Sequence, residues 1–323
     1  MRYLIGVVAA TIGLLAAPVQ AVADAYPTRP VEVLVPYPPG GTADLLARLV
    51  SGKLSDQLGQ SIVVINRGGA GGNIAARSVA TAANDGYTLL FGNVAVFAIN
   101  PNLYKKVPFD PIRDFAPISL VASVPQMLVV HPSMPVKSLK EFVNYVKSRP
   151  GQVNYAAAGH GSATQLAMEL LQSLADIQLF RVAYKGSGPA LAGIAGGQVS
   201  AMFENIPTAL PFVRDSRLRA LAVTSAKRSS LLPDLPTVAE SGFPGFEITA
   251  WFGLQAPAGT SVPIVAKLNE AIGTVVRSDD MRERMSRLGA EPVTNTPAEF
   301  QRFIKDELAK WGALVKRSGA TID

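Results

Sequence analysis

The 323-residue chain contains no cysteine. That absence excludes a disulfide framework, a thiolate zinc site and a lipid-bearing N-terminal cysteine. Histidine is nearly missing too, with only His131 and His160 present. Two imidazoles and no thiol leave no spaced metal cluster. A nucleophile–base–acid triad would need one of these histidines, and no serine sits in a G-x-S-x-G frame. His160 is two residues from Ser162, but sequence neighbours rarely have triad geometry, and it reads as a loop-surface residue. The lysine loop G-x-x-x-x-G-K-[ST] is absent as well. Basic residues number 30 against 24 acidic ones, and the two signs are interspersed, notably through 277–317. No basic cluster with interleaved aromatics marks a nucleic-acid footprint. The mild positive field would still help draw in an anion.

Long apolar runs are scarce. The one at the start, Leu4 to Ala17, follows Arg2, the only charged side chain before Asp24, and leads into Pro18 and Ala21-Val22-Ala23. A positive start, a short apolar core and an A-x-A-like end predict a secretory signal peptide at 1–23, cleaved after Ala23 or, as second choice, Ala21. The run is shorter than the ~20 residues needed to span a bilayer. Export without a lipid anchor implies a protein free in the periplasm. Removing 23 of the 323 residues leaves 300, too many for one compact core and suited to two domains.

What is present alternates between strand and helix signals. Strands are predicted at 31–35, 62–65, 88–91, 127–130, 153–157, 177–183, 200–203, 218–223 and 246–254. Helices are predicted after Thr42, from about Asn73, at 138–147, up to about Leu174, and at 188–195 and 207–213. Three more, 263–277, 279–287 and 297–317, close the chain. Such alternation predicts an α/β fold with parallel sheets and helices on both faces. The long strand after 246 and the helical tail suggest a return to the first domain. The expected division is a discontinuous domain at 24–124 plus 248–323 and an inserted domain at 125–247. A cleft between two such lobes is a usual ligand site.

Three turns share one design, each passing from a strand through glycine into a helix that begins with a small polar residue. They are Pro38-Pro39-Gly40-Gly41-Thr42, Gly69-Ala70-Gly71-Gly72-Asn73 and Ala158-Gly159-His160-Gly161-Ser162-Ala163-Thr164. A helix N-terminus offers backbone N–H groups without intrahelical partners and a partial positive charge. Such a turn suits a carboxylate or phosphate oxygen without a formal cation. Ordinary helix capping uses the same residue types and accounts for any one loop taken alone; three in one chain point towards anion binding. Lys185, in Tyr184-Lys185-Gly186, could border the cleft or sit exposed on its loop. Glu204 and Asn205 follow a strand whose C-terminal end should face a ligand crevice. Trp251 and Phe252 read as core or hinge packing.

These residues together resemble the Bug-type receptors, the TctC family of solute-binding components of tripartite tricarboxylate transporters. The markers are Tyr26-Pro27-Thr28-Arg29-Pro30, Val35-Pro36-Tyr37-Pro38-Pro39-Gly40-Gly41-Thr42-Ala43-Asp44, Asn66-Arg67 with the second glycine turn, and Asp85-Gly86-Tyr87-Thr88. The later half adds Tyr184-Lys185-Gly186, Gly197-Gln198-Val199, Leu232-Pro233-Asp234-Leu235-Pro236-Thr237 and Ala256-Pro257-Ala258-Gly259. The resemblance implies a two-domain periplasmic binding protein fold, type II-like, that closes on a small carboxylate without catalysis. It nominates Tyr37, Gly41, Thr42 and Asp44 on one lobe, with Asn93 after the third strand. On the other it nominates Ala158, Gly161, Ser162, Thr164, Gln165 and Glu204. Gln165 stands where many relatives have histidine, and Glu204 where aspartate is common, so both bear on selectivity. The implied partners are a carboxylate ligand and one large and one small membrane transporter subunit, or else a sensor protein. No cofactor, metal or nucleic acid is implied, and a monomer is expected. A rival reading is a periplasmic hydrolase or lyase using Asp44 or Glu204 as general base.

Overall fold

The computed structural model describes residues 26–159 and 161–318, with side chains described up to Lys316. The expected signal peptide, its cleavage sites and His160 lie outside the described residues. Among the described residues no helix is long and apolar enough to cross a membrane.

The chain begins with an apolar strand, β1 (Val31–Val35), flanked by β2 (Ile62–Asn66) and β3 (Thr88–Asn93), both parallel to it. Helices α1 (Thr42–Leu58) and α2 (Asn73–Ala80) make the crossovers. After β3 comes a π-type turn at Ala95–Ile99 and a short helix, α3 (Asn100–Leu103). Sequence patterning misses this segment because Val94 to Ile99 are all buried, so no polar face marks a helical period.

Strand β4 (Phe115–Val130) is the central element. The sequence reading expects a strand only from Met127, after Pro125. The structure keeps one continuous strand and accommodates both prolines. Pro117 lies at a register shift, and Pro125 faces Thr249 where β4 is about to change partners. From Phe115 to Pro125 it pairs with β9 (Thr249–Pro257), and from Gln126 to Val130 with β7 (Ala201–Asn205). Its last residues also pair with β8 (Arg219–Val223), and its middle with the short β10 (Glu291–Pro292).

Beyond β4 lie α4 (Leu139–Lys147), β5 (Asn154–Ala157), α5 (Ala163–Ala175), β6 (Phe180–Ala183), α6 (Ser187–Ala195) and α7 (Ile206–Arg214). The path runs β2-β1-β3-β9-β4-β7-β5-β6. The two halves echo each other: β1 lies between β2 and β3, and β5 between β6 and β7. Helices α8 (Val262–Arg277), α9 (Asp279–Leu288) and α10 (Pro297–Ser318) return to the first half. There Trp251, on β9, and Trp311, on α10, both donate their indole N–H to Oε2 of Glu307 at 2.9 Å. The main core holds Phe91, Phe97, Phe252, Phe300 and Trp311, while a smaller one gathers Met127, Met202, Ile206, Leu210 and Val223. Strands buried on both faces, as β4 is along most of its length, are what a sheet covered by helices on both sides produces.

Candidate functional site

The chain reversal at Pro38–Gly41 is held from behind. Asp44, in the first turn of α1, accepts the Gly40 amide at 3.0 Å, the Arg48 guanidinium at 2.9 Å and the Asn66 side-chain amide at 2.9 Å. Asn66 also donates to the Tyr37 carbonyl at 3.0 Å. Partial burial pushes the Asp44 carboxyl up, but Arg48, Gly40 and Asn66 together hold it below the usual carboxylate range. The helix itself begins at Gly41, which supplies no side-chain cap. Its first N–H groups are therefore left for another acceptor. Tyr37 donates to Asn93 Oδ1 at 3.0 Å, and burial holds its phenol neutral, far above its ordinary value.

Three further helix N-termini face α1 across a common space. At α5, Ser162 accepts the Gln165 amide at 3.2 Å and lies 3.0 Å from the Thr164 hydroxyl. Here the ordinary capping explanation holds in part, since Ser162 spends one oxygen on its own helix. At α6 the N-cap is Gly186, and at α7 it is Asn205; neither makes a side-chain cap bond. Together these termini enclose a cavity of about 70 Å³, where one water takes up roughly 10–15 Å³ on the same measure.

Its walls include Tyr37, Gly41, Thr42, Asn93, Ala158, Ser162 and Thr164 from the expected set. They also include Gln126, Ser187, Asn205 and Phe252. Among the described residues, no Lys, Arg, His, Asp or Glu lines it. An anion here would be held by amide dipoles and hydroxyls, each helix terminus contributing about 0.3–2 kcal/mol. Lys185 stays outside, and only its neighbour Gly186 reaches the wall.

Four expected residues, Asp44, Gly161, Gln165 and Glu204, are placed behind the lining rather than on it. Gln165 accepts the Gly161 amide at 3.1 Å and donates to Glu169, so it props the second loop from beneath. Gly161 has φ +72° and packs so tightly that a Cβ there would lie 2.6 Å from Leu103 and 3.0 Å from Asn100. Only glycine fits this close approach between the two halves. Glu204 accepts from the Ser187 hydroxyl, the Asn205 amide and the Thr208 hydroxyl at 3.1, 2.9 and 2.9 Å, all on one oxygen. Two of these donors, Ser187 and Asn205, line the cavity. The third, Thr208, lies 3.4 Å from the Thr42 hydroxyl of the opposite half. Burial pushes the Glu204 carboxyl up to about 7, although the three donors pull it down. No cation lies within ion-pair distance of it among the described residues.

The second glycine turn does not join the site. Asn73 instead accepts the Asn100 side-chain amide at 2.7 Å, and the turn packs inside the first half. Gln126 was missed by the sequence reading. Its signal was a lone polar residue in the otherwise apolar run Val124 to Val130, interrupted only by Pro125. Among the described residues, no group of three His, Cys, Asp or Glu could hold a metal ion.

Comparison with known proteins agrees with this geometry. The model of the tripartite tricarboxylate transporter family receptor matches residues 46–320. Protein BugT of Bordetella pertussis is 41% identical over 319 residues, spanning 98% of this chain and 97% of that one. A solved structure of R. palustris Rpa4515 with adipate superposes with a TM-score of 0.90 at 39% identity, covering 92% of this chain and all of that one. The periplasmic binding protein BugD gives a TM-score of 0.88 at 36% identity, covering 92% of this chain and 99% of that one. Fold, cavity and sequence agree: the chain belongs to the receptor family of the tripartite tricarboxylate transporters.

Proposed function

We propose that this receptor captures a small carboxylate between two lobes and presents it, enclosed, to a membrane transporter. One observation carries the reading. Four helix N-termini converge on a cavity walled by Thr42, Ser162, Thr164 and Ser187 hydroxyls and backbone, with no charged side chain among the described residues. Anions bind to such termini, whereas a cation or an apolar guest would waste the donors. Adipate in the similar R. palustris protein supports the same ligand class. The lobes are 24–124 with 248–323, and 125–247, hinged where β4 changes partners at Pro125–Gln126 and where the chain re-enters at Ile248–Thr249. Ligand that binds only the closed form shifts the open–closed balance towards it. Tyr37, Thr42, Asn93, Ala158, Ser162 and Thr164 touch the ligand, while Asp44, Gly161, Gln165 and Glu204 set the loops that do. The protein works as an exported monomer, cut near Ala23, with one large and one small membrane subunit as partners. It performs no chemistry on its ligand: among the described residues the lining supplies no carboxylate, imidazole or amine for general acid–base work.

Titration calorimetry and thermal shift against mono-, di- and tricarboxylates test this reading. At least one acid should bind and raise the melting temperature. If none does, the reading fails.

A further inference from the structure

The helix termini account for one end of a ligand, and the floor of the cavity accounts for the other. Gln126 and Asn205 are direct partners across the antiparallel β4–β7 ladder, so their side chains share one face. Both line the cavity. Gln126 is fully buried, and both its side-chain nitrogen and its side-chain oxygen lack a hydrogen-bond partner. Its backbone is already satisfied by Thr224, which accepts its N–H at 2.9 Å and donates to its carbonyl at 2.9 Å. Asn205 is 9% exposed, and its side-chain oxygen is likewise unpartnered. Gln255 has the same unpartnered amide but does not line the cavity.

Buried amides are normally paired, and a buried amide left without partners is costly. A plain carboxylate only accepts hydrogen bonds. It would serve the Gln126 N–H and leave the Gln126 and Asn205 oxygens facing negative charge. A hydroxyl both donates and accepts, and so matches the set. An ammonium would donate three times but bring a charge that no lining carboxylate among the described residues balances.

We infer that Gln126 and Asn205 form a specificity floor that selects carboxylates bearing a hydroxyl group over their deoxy counterparts. This rests on the carboxylate reading above and adds the second functional group of the ligand. Because Gln126 sits where β4 passes from one half to the other, the hydroxyl contact also joins ligand identity to lobe closure.

Calorimetry with matched pairs, lactate against propionate and malate against succinate, with aspartate as the amino counterpart, tests the floor. In at least one pair the wild-type chain should bind the hydroxy acid about tenfold or more tightly than the deoxy acid. Gln126→Met, close in shape but without hydrogen bonds, and Asn205→Ala should each compress that ratio towards one. The ratio is the readout because any general weakening of closure affects both members of a pair alike. Equal binding of both members of each pair by the wild type overturns the inference while leaving the carboxylate reading intact. A ratio unchanged in both variants, or aspartate bound more tightly than malate, also overturns it. If no carboxylate binds at all, both readings fall.

Discussion

Replacing Glu204 with glutamine should remove a pH dependence of stability that the fold itself creates. The side chain is fully buried and accepts three hydrogen bonds on one oxygen, with no cation at ion-pair distance among the described residues. Its carboxyl is raised from 4.5 to about 7. Between those values the unfolded chain has released this proton and the folded chain still holds it. Stability therefore falls as pH rises through that window, at up to 1.36 kcal/mol per pH unit. The full penalty, about 3 kcal/mol, is reached above pH 7 and is absent below pH 4.5. Glutamine keeps an accepting oxygen for Ser187, Asn205 and Thr208 and cannot ionise. Glu204→Gln should match the wild type near pH 4.5 and exceed it by up to about 3 kcal/mol at pH 8. Asp44 and Asp110 are shifted the other way, below the usual carboxylate range. Their stabilisation is lost at lower pH and cancels between the two proteins. Urea denaturation at pH 5, 6, 7 and 8 measures the difference directly. A bound carboxylate next door should raise the Glu204 carboxyl further, so binding at pH 7 should take up as much as about half a proton. Calorimetry in two buffers of different ionisation enthalpy reads that uptake. A stability difference that stays flat from pH 5 to pH 8 would refute the reasoning.

Three other perturbations probe separate parts of the molecule. Thr42→Leu puts a bulky apolar side chain at a buried position facing Thr208. It should weaken carboxylate binding at least tenfold, about 1.4 kcal/mol, with little change in apo melting temperature; unchanged affinity would remove Thr42 from the site. Gly161→Ala adds a Cβ at 2.6 Å from Leu103 in a positive-φ residue. By opposing closure and straining the loop by about 1 kcal/mol, it should reduce affinity roughly fivefold in equilibrium titration. Glu307→Ala strips the shared acceptor from Trp251 and Trp311. Two indole N–H groups without a partner should cost about 2–4 kcal/mol in denaturant unfolding, while ligand affinity stays the same.

The elements were legible because their boundaries are written in local chemistry. Gly59 and Gly289 end helices in the left-handed conformation, and Ser138 and Ser278 begin them with true caps. Two of the three glycine turns line the cavity. The third has the same residue types, yet its Asn73 is consumed by Asn100, a residue 27 positions away. Local pattern cannot separate a turn that meets a ligand from one that meets the chain. Gln126 escaped for a related reason. A single glutamine in an apolar strand gains meaning only when β4 crosses between halves and leaves its amide facing the cavity. Behind the lining, Glu204 was legible from its place at a strand end and Gln165 through the resemblance, but their supporting role follows only from the hydrogen bonds they make.

The most direct measurement is a crystal structure of the complex with whichever acid calorimetry finds to bind most tightly. The account predicts a carboxylate oxygen within hydrogen-bonding distance of the backbone at Thr42, and of the α5 or α6 terminus opposite. A carboxylate paired with a lysine or arginine, or seated away from these termini, would contradict it.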